Sequence, residues 1–158
     1  MAIYSPVAVD LRFLLAVLKI NTNLERTGDI ADGIAKLIID TEKPFSPELL
    51  RVTKLVGMYQ EALSVVEEIL AAVEKEDAAI ARGIFKRDDF LDDINRRTND
   101  LITTYLQEHS EDLYQALNLL SIIRRLERVG DHEENIAEEM IFYIEAKVIR
   151  HTSKNKTS

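Results

Sequence analysis

The sequence predicts an all-α protein, an antiparallel bundle of four long helices, on three observations. Apolar residues recur at helical spacing over most of the 158 residues. Only five Gly and three Pro are present, so long stretches run without a breaker. The interruptions that do occur, Lys43-Pro44-Phe45-Ser46-Pro47, Lys75-Glu76-Asp77 and His109-Ser110-Glu111, are short. Short connections between long helices set neighbours antiparallel, with left-handed, coiled-coil-like packing.

Ser5-Pro6 reads as the opening of the first helix, since Pro is tolerated in the first turn. One pattern then continues from about Val7 to Thr41 through Leu11, Leu14, Leu15, Leu18, Ala31, Ile34, Ala35 and Ile38. Pro44 and Pro47 exclude a continuous helix there. Ser46, ahead of Pro47 and Glu48, is a good N-cap for a second helix running to about Glu74. Asp77 is placed to cap a third, from about Ala78 to Gln107, with Ile84, Leu91, Ile94, Ile102 and Tyr105 among its apolar positions. Ser110 is placed to cap a fourth, which carries Leu113, Leu117, Leu120, Ile123 and Leu126 to about Ala146. Lys147–Ser158 holds four basic residues and no acidic one, and reads as a solvated tail.

Inside this frame a six-residue stretch occurs twice. Leu24-Glu25-Arg26-Thr27-Gly28-Asp29 returns 102 residues later as Leu126-Glu127-Arg128-Val129-Gly130-Asp131. Steps of seven from the first glutamate give Leu11, Leu18, Glu25, Asp32 and Ile39; from the second they give Leu113, Leu120, Glu127, Glu134 and Ile141. The agreement marks an internal repeat. A seven-residue step returns to nearly the same side of a helix, so each line is apolar at both ends and acidic in the middle. Asp29 and Asp131 lie four residues after their glutamates, so each pair shares a face. Mid-helix glycines at equivalent places, Gly28 and Gly130, predict close helix approach beside the acids, because glycine otherwise costs about 1 kcal/mol against alanine.

The third helix supplies a further pair, Asp88 and Asp92, again four apart. If it runs antiparallel beside the fourth, these acids face Glu127 and Asp131, with Asn95 and Asn135 as nearby neutral oxygens. Carboxylates roughly 6 Å apart, at an effective dielectric of ~20, repel by on the order of 3 kcal/mol per pair. Protonation, neighbouring arginines or a bound cation must relieve that. Oxygen donors suit magnesium, manganese, calcium or iron. The plainer reading pairs the acids with Arg26, Arg96, Arg97, Arg125 and Arg128 on solvated helix edges, where such pairs contribute little. The recurrence in one seven-residue frame favours the cation.

Composition and motifs narrow the function classes. The chain is 46% hydrophobic and 30% charged, as befits a soluble helical domain. It has no apolar run long enough to cross a bilayer and no secretory leader pattern. With no cysteine, disulfides and thiolate metal sites are excluded, in keeping with a cytoplasmic protein. A net charge of −8 argues against nucleic acid and favours cations or a basic partner surface. His132, directly after Asp131, lies about 100° round the helix and reads as a surface or interhelical histidine. No Glu-x-x-His occurs, which weakens a carboxylate-bridged di-iron oxidase. There is no nucleophile with an adjacent base and no phosphate-binding Gly-rich loop, so the chain reads as a non-enzyme.

Leu-Glu-Arg-x-Gly-Asp, followed in its second copy by Asn135-Ile136-Ala137-Glu138 and preceded in its first by Asp10-Leu11-Arg12, resembles the PhoU family. Asp88-x-x-x-Asp92 ahead of a long helix matches as well, and the likeness covers nearly the whole chain. The resemblance implies a fold of similar three-helix repeats. It implies metal sites holding divalent or trivalent ions (iron, manganese, magnesium or zinc), at Asp88, Asp92, Glu127 and Asp131, with Glu25 and Asp29 as half of another. It also implies a cytoplasmic negative regulator linking the phosphate ABC transporter ATPase to the sensor histidine kinase that governs phosphate-starvation genes. Asp88 precedes Glu127 by 39 residues, an offset that from Glu25 falls before Met1. On that reading 1–43 is the last helix of an incomplete first repeat, 46–147 a complete second repeat and 148–158 a tail. An apolar first helix without its own bundle partners predicts a homo-oligomer. The reading from a different class is a metal-free scaffold whose acidic rows dock a basic partner.

Overall fold

A computed structural model describes residues 8–41 and 43–146. Ser5-Pro6 and the basic tail lie outside the described residues. Helix α1 spans Ala8–Ile39, α2 Pro47–Thr53, α3 Leu55–Lys75, α4 Ala78–Ile84, α5 Asp88–Glu108 and α6 Leu113–Glu145, with a 3₁₀ turn at Ser110–Asp112. The all-helical expectation holds, but two of the four predicted helices are each divided.

The expected second helix breaks at Lys54, which adopts the left-handed conformation (φ 56°) and donates its N–H to the Arg51 carbonyl. Such a conformation costs a non-glycine residue roughly 1–2 kcal/mol. The break lets both sides bury apolar residues: Leu49 before it and Leu55 and Met58 after it join one core. The expected third helix breaks at 85–87. There Arg87 reaches α3, donating from Nε to Glu61 at 2.6 Å and from an Nη to Glu68 at 2.5 Å. A charge-assisted clamp on two glutamates outweighs one more turn of helix.

Two of the three predicted caps hold. Ser46 Oγ accepts from the Leu49 N–H at 3.4 Å, with Pro47 in the first turn. Asp77 Oδ1 accepts from Ala79 N at 2.7 Å and Ile80 N at 3.3 Å. Ser110 does not cap α6, because the 3₁₀ turn carries the helix start on to Leu113. The same corner is tied elsewhere: Tyr105 Oη donates to Asp112 Oδ2 at 2.5 Å and lies 3.0 Å from Ser46 Oγ, and the Ser46 N–H donates to Gln115.

Helix α6 is the axis of the molecule. α1 runs along one side of it, and α3, α4 and α5 pack on the others. Two buried clusters are strung along it: one joins Leu49, Met58, Leu91, Leu119, Ile123 and Leu126, the other Ile69, Ile84, Ile136 and Ile141. Each such side chain contributes roughly 1.5–3 kcal/mol on burial. Ala16 of α1 and Ala137 of α6, both buried in the second cluster, let the two helices approach closely.

Candidate functional site

Helices α5 and α6 are packed antiparallel neighbours joined by a tight corner. α5 turns Leu91, Ile94, Thr98, Ile102 and Tyr105 inward, all of them buried. Asp92 follows Leu91 by one residue, so it emerges about 100° round the helix, and it is half-buried. On α6, Glu127 lies next to buried Leu126 and four residues beyond buried Ile123, and it too is half-buried; Asp131 is exposed. Equal rises away from the corner bring Asp92 about level with Val129, between Glu127 and Asp131. By this count Asp92 comes near the level of Glu127 and Asp131. The side chain of Asp88 lies outside the described residues. Among the described residues no group of three or more His, Asp or Glu side chains is gathered closely enough to hold a metal ion.

The first copy stands differently. Ile20, Asn23 and Ile30 of α1 are buried, whereas Glu25 and Asp29 are both exposed. Gly28 is also exposed, and a Cβ added there would meet nothing within 4 Å, so close approach does not explain this glycine. Its counterpart Gly130 is buried. Asn135, expected beside the α5 acids, instead lines a recess shared with α1, with Lys19, Asn23 and Arg26. Two arginines of the plainer reading, Arg96 and Arg97, are engaged by Asp93 at 3.2 and 3.0 Å rather than by Asp92. The ion pair of Asp32 with Lys36, at 2.5 Å, is an exposed pair of the kind that contributes little.

Sequence reasoning missed a polar seam between α1 and α6. Glu133 is fully buried, accepts from the Thr27 hydroxyl at 3.0 Å, and leaves its other oxygen without a hydrogen-bond partner. Burial raises its pKa from 4.5 to about 7, against a smaller opposing pull from Thr27. The neighbouring His132 is the interhelical histidine: Nδ1 lies 3.1 Å from Asn23 Oδ1, and Asn23 donates in turn to the Lys19 carbonyl. Burial, with Arg26 and Arg128 nearby, pushes the imidazole pKa down. A tautomer with Nδ1–H suits the Asn23 Oδ1, which can only accept. Lys19 closes the seam on Glu139 at 2.6 Å. A signal for Glu133 was present, since Leu119, Leu126, Glu133 and Met140 form a seven-step line that is apolar but for the one acid.

This helical arrangement has counterparts among known proteins. The model of the PhoU domain matches residues 1–38 and 55–140. The chain belongs to the PhoU family. It is 34% identical over 140 residues to the phosphate-specific transport system accessory protein PhoU homolog 1 of Thermotoga maritima, covering 88% of this chain and 60% of that one. It is 34% identical over 143 residues to a PhoU homolog of Caulobacter vibrioides, covering 89% and 61%. The crystal structure of PhoU from Pseudomonas aeruginosa superposes with a TM-score of 0.84 at 30% identity, covering 92% of this chain and 69% of that one. The phosphate transport system regulatory protein PhoU from Streptococcus pneumoniae gives 0.79 at 27% identity, covering 92% and 68%. The chain thus spans about three fifths of the length of the curated relatives it matches. Among the described residues no helix is long and apolar enough to cross a membrane.

Proposed function

We propose that this chain is a metal-binding regulatory adaptor of phosphate uptake, acting in the cytoplasm without catalytic turnover. In this role it is a negative regulator that links the phosphate ABC transporter ATPase to the phosphate-sensing histidine kinase. The observation that carries the reading is the packing of α5, the helix of Asp88 and Asp92, against α6, the helix of Glu127 and Asp131, in a chain of the PhoU family. Asp88, Asp92, Glu127 and Asp131 would hold the ion, and their oxygen-only donor set fits a hard cation such as iron, manganese or magnesium. When bound, the ion supplies positive charge that offsets the carboxylates' mutual repulsion. The protein's own part is to fix α5 against α6 through Leu91, Ile94, Ile123 and Leu126, so that acids from two helices act together. That rigidity shapes a surface read by transporter and kinase. Residues 46–147 form the working repeat; 1–43 bring the last helix of another, whose acids Glu25 and Asp29 form half a site.

Calorimetric titration with Mn(II), alongside elemental analysis of the purified protein, tests the reading. Wild type is expected to bind and Asp131→Ala to bind at least tenfold more weakly; equal binding by both removes the metal. The exposure of Glu25, Asp29 and Asp131 favours a second reading, in which acidic rows dock a basic partner without metal. That binding persists in chelator and weakens steeply with salt.

A further inference from the structure

Arg87 stands at the joint between α4 and α5, one residue before Asp88. Its side chain reaches across to α3, donating from Nε to Glu61 at 2.6 Å and from an Nη to Glu68 at 2.5 Å. Those glutamates are seven residues apart, so they share one side of α3 and the guanidinium spans both. The side chains of Arg87, Glu61 and Glu68 are only 25, 27 and 34% exposed, so salt screens them less than a surface pair. Gly83 of α4 leaves the space that Glu68 occupies: a Cβ there would stand 3.3 Å from Glu68 Oε1.

The first turn of α5 has little else to hold it. Asp89 and Phe90 are exposed, and Arg87, at the N-cap position, gives the helix no side-chain cap. Among the described residues, Leu91 is the first of α5 to enter the core. Asp92 follows that anchor directly, whereas Asp88 precedes it by three residues and follows Arg87 by one. We infer that Arg87 is a positioning residue for the acidic site, a role that rests on the metal reading of that site. Its clamp on α3 fixes the turn to which Asp88 belongs, and so sets the spacing between the acids of α5 and those of α6. Helix α3 thereby takes part in a site to which it contributes no ligand. Loss of the arginine leaves the turn free to fray. Loss of both glutamates does the same, and also frees a guanidinium beside Asp88 to compete with the cation.

Mn(II) binding tests this role, read from the electron paramagnetic resonance of the free ion at a temperature where circular dichroism shows every variant folded. Arg87→Met and the double variant Glu61→Gln/Glu68→Gln are each expected to bind about tenfold more weakly than wild type. Arg82→Met is the control. It removes another two-toothed pair, Arg82 with Glu145 at 2.7 and 2.6 Å, which ties α4 to α6, and is expected to lower Tm but keep wild-type affinity. A second readout needs no metal. The chain has no cysteine, so nitroxides placed through Phe90→Cys and Arg124→Cys, both exposed positions, report the first turn of α5 against α6. Their distance distribution is expected to broaden with Arg87→Met and to stay narrow with Arg82→Met. Unchanged affinity in both clamp variants, equal loss in Arg82→Met, or a distribution that stays narrow without Arg87 would overturn the positioning role and leave the metal reading standing. A wild type that binds no Mn(II) would remove both.

Discussion

The two copies of Leu-Glu-Arg-x-Gly-Asp have nearly the same residues and different surroundings. In the second copy Leu126, Val129 and Gly130 are buried and Glu127 is half-buried; in the first, Glu25, Gly28 and Asp29 are all exposed. The difference lies in the neighbours. α6 packs against α1, α3, α4 and α5, whereas α1 has its extensive contacts with α6. In the second copy Glu127 is therefore partly covered while Asp131 stays exposed, and in the first both acids meet solvent. The residue that differs between the copies makes the same point. Thr27, where the second copy has Val129, turns its hydroxyl to the buried carboxyl of Glu133 and so serves the α1–α6 seam.

The contrast is sharpest in the core. Leu126→Ala should destabilise by about 2–5 kcal/mol in urea unfolding, and Leu24→Ala, at a half-buried position, by clearly less. Equal losses would mean that the two copies are packed alike.

Next in size is the seam beneath the first copy. Glu133 holds its proton in the folded state up to about pH 7 and loses it near 4.5 when unfolded. Between those values the native state binds more protons, so stability falls as pH rises through that window. The loss reaches up to about 3 kcal/mol above pH 7. Glu133→Gln keeps an acceptor for Thr27 without the charge. It should flatten this fall and leave the protein more stable than wild type at pH 8, by denaturant midpoints across pH. His132, with its pKa lowered, works in the opposite sense: its contribution is lost as pH falls below 6.5. The variant separates the two, because the histidine slope should remain.

Smaller still is the glycine of the exposed copy. With open space around it, Gly28→Ala should raise stability by about 1 kcal/mol, read as a higher Tm. At the bottom of the scale, Lys36→Ala breaks an exposed ion pair with Asp32 and should leave Tm unchanged.

Much of the fold was legible because it is encoded locally. Ser46 and Asp77 announce helix starts through their side chains, and the proline pair breaks the chain where expected. The breaks at Lys54 and at 85–87 were not legible, since apolar periodicity runs through both. They are decided by distant events, shared core packing on either side of Lys54 and the Arg87 clamp on Glu61 and Glu68. The acidic motif was legible as a repeat, but not the unequal exposure of its two copies, which depends on how many helices surround each. Glu133 was visible as an acid in an apolar line, but its partner Thr27 lies 106 residues away and no spacing rule connects them.

The central claim is that one helix pair, α5 with α6, gives the acidic motif a working environment that α1 alone does not. Side-by-side titration of Mn(II) into Glu127→Gln and Glu25→Gln addresses it most directly. The account predicts at least a tenfold loss of affinity in Glu127→Gln and wild-type binding in Glu25→Gln. Equal loss in both, or none in either, would contradict it.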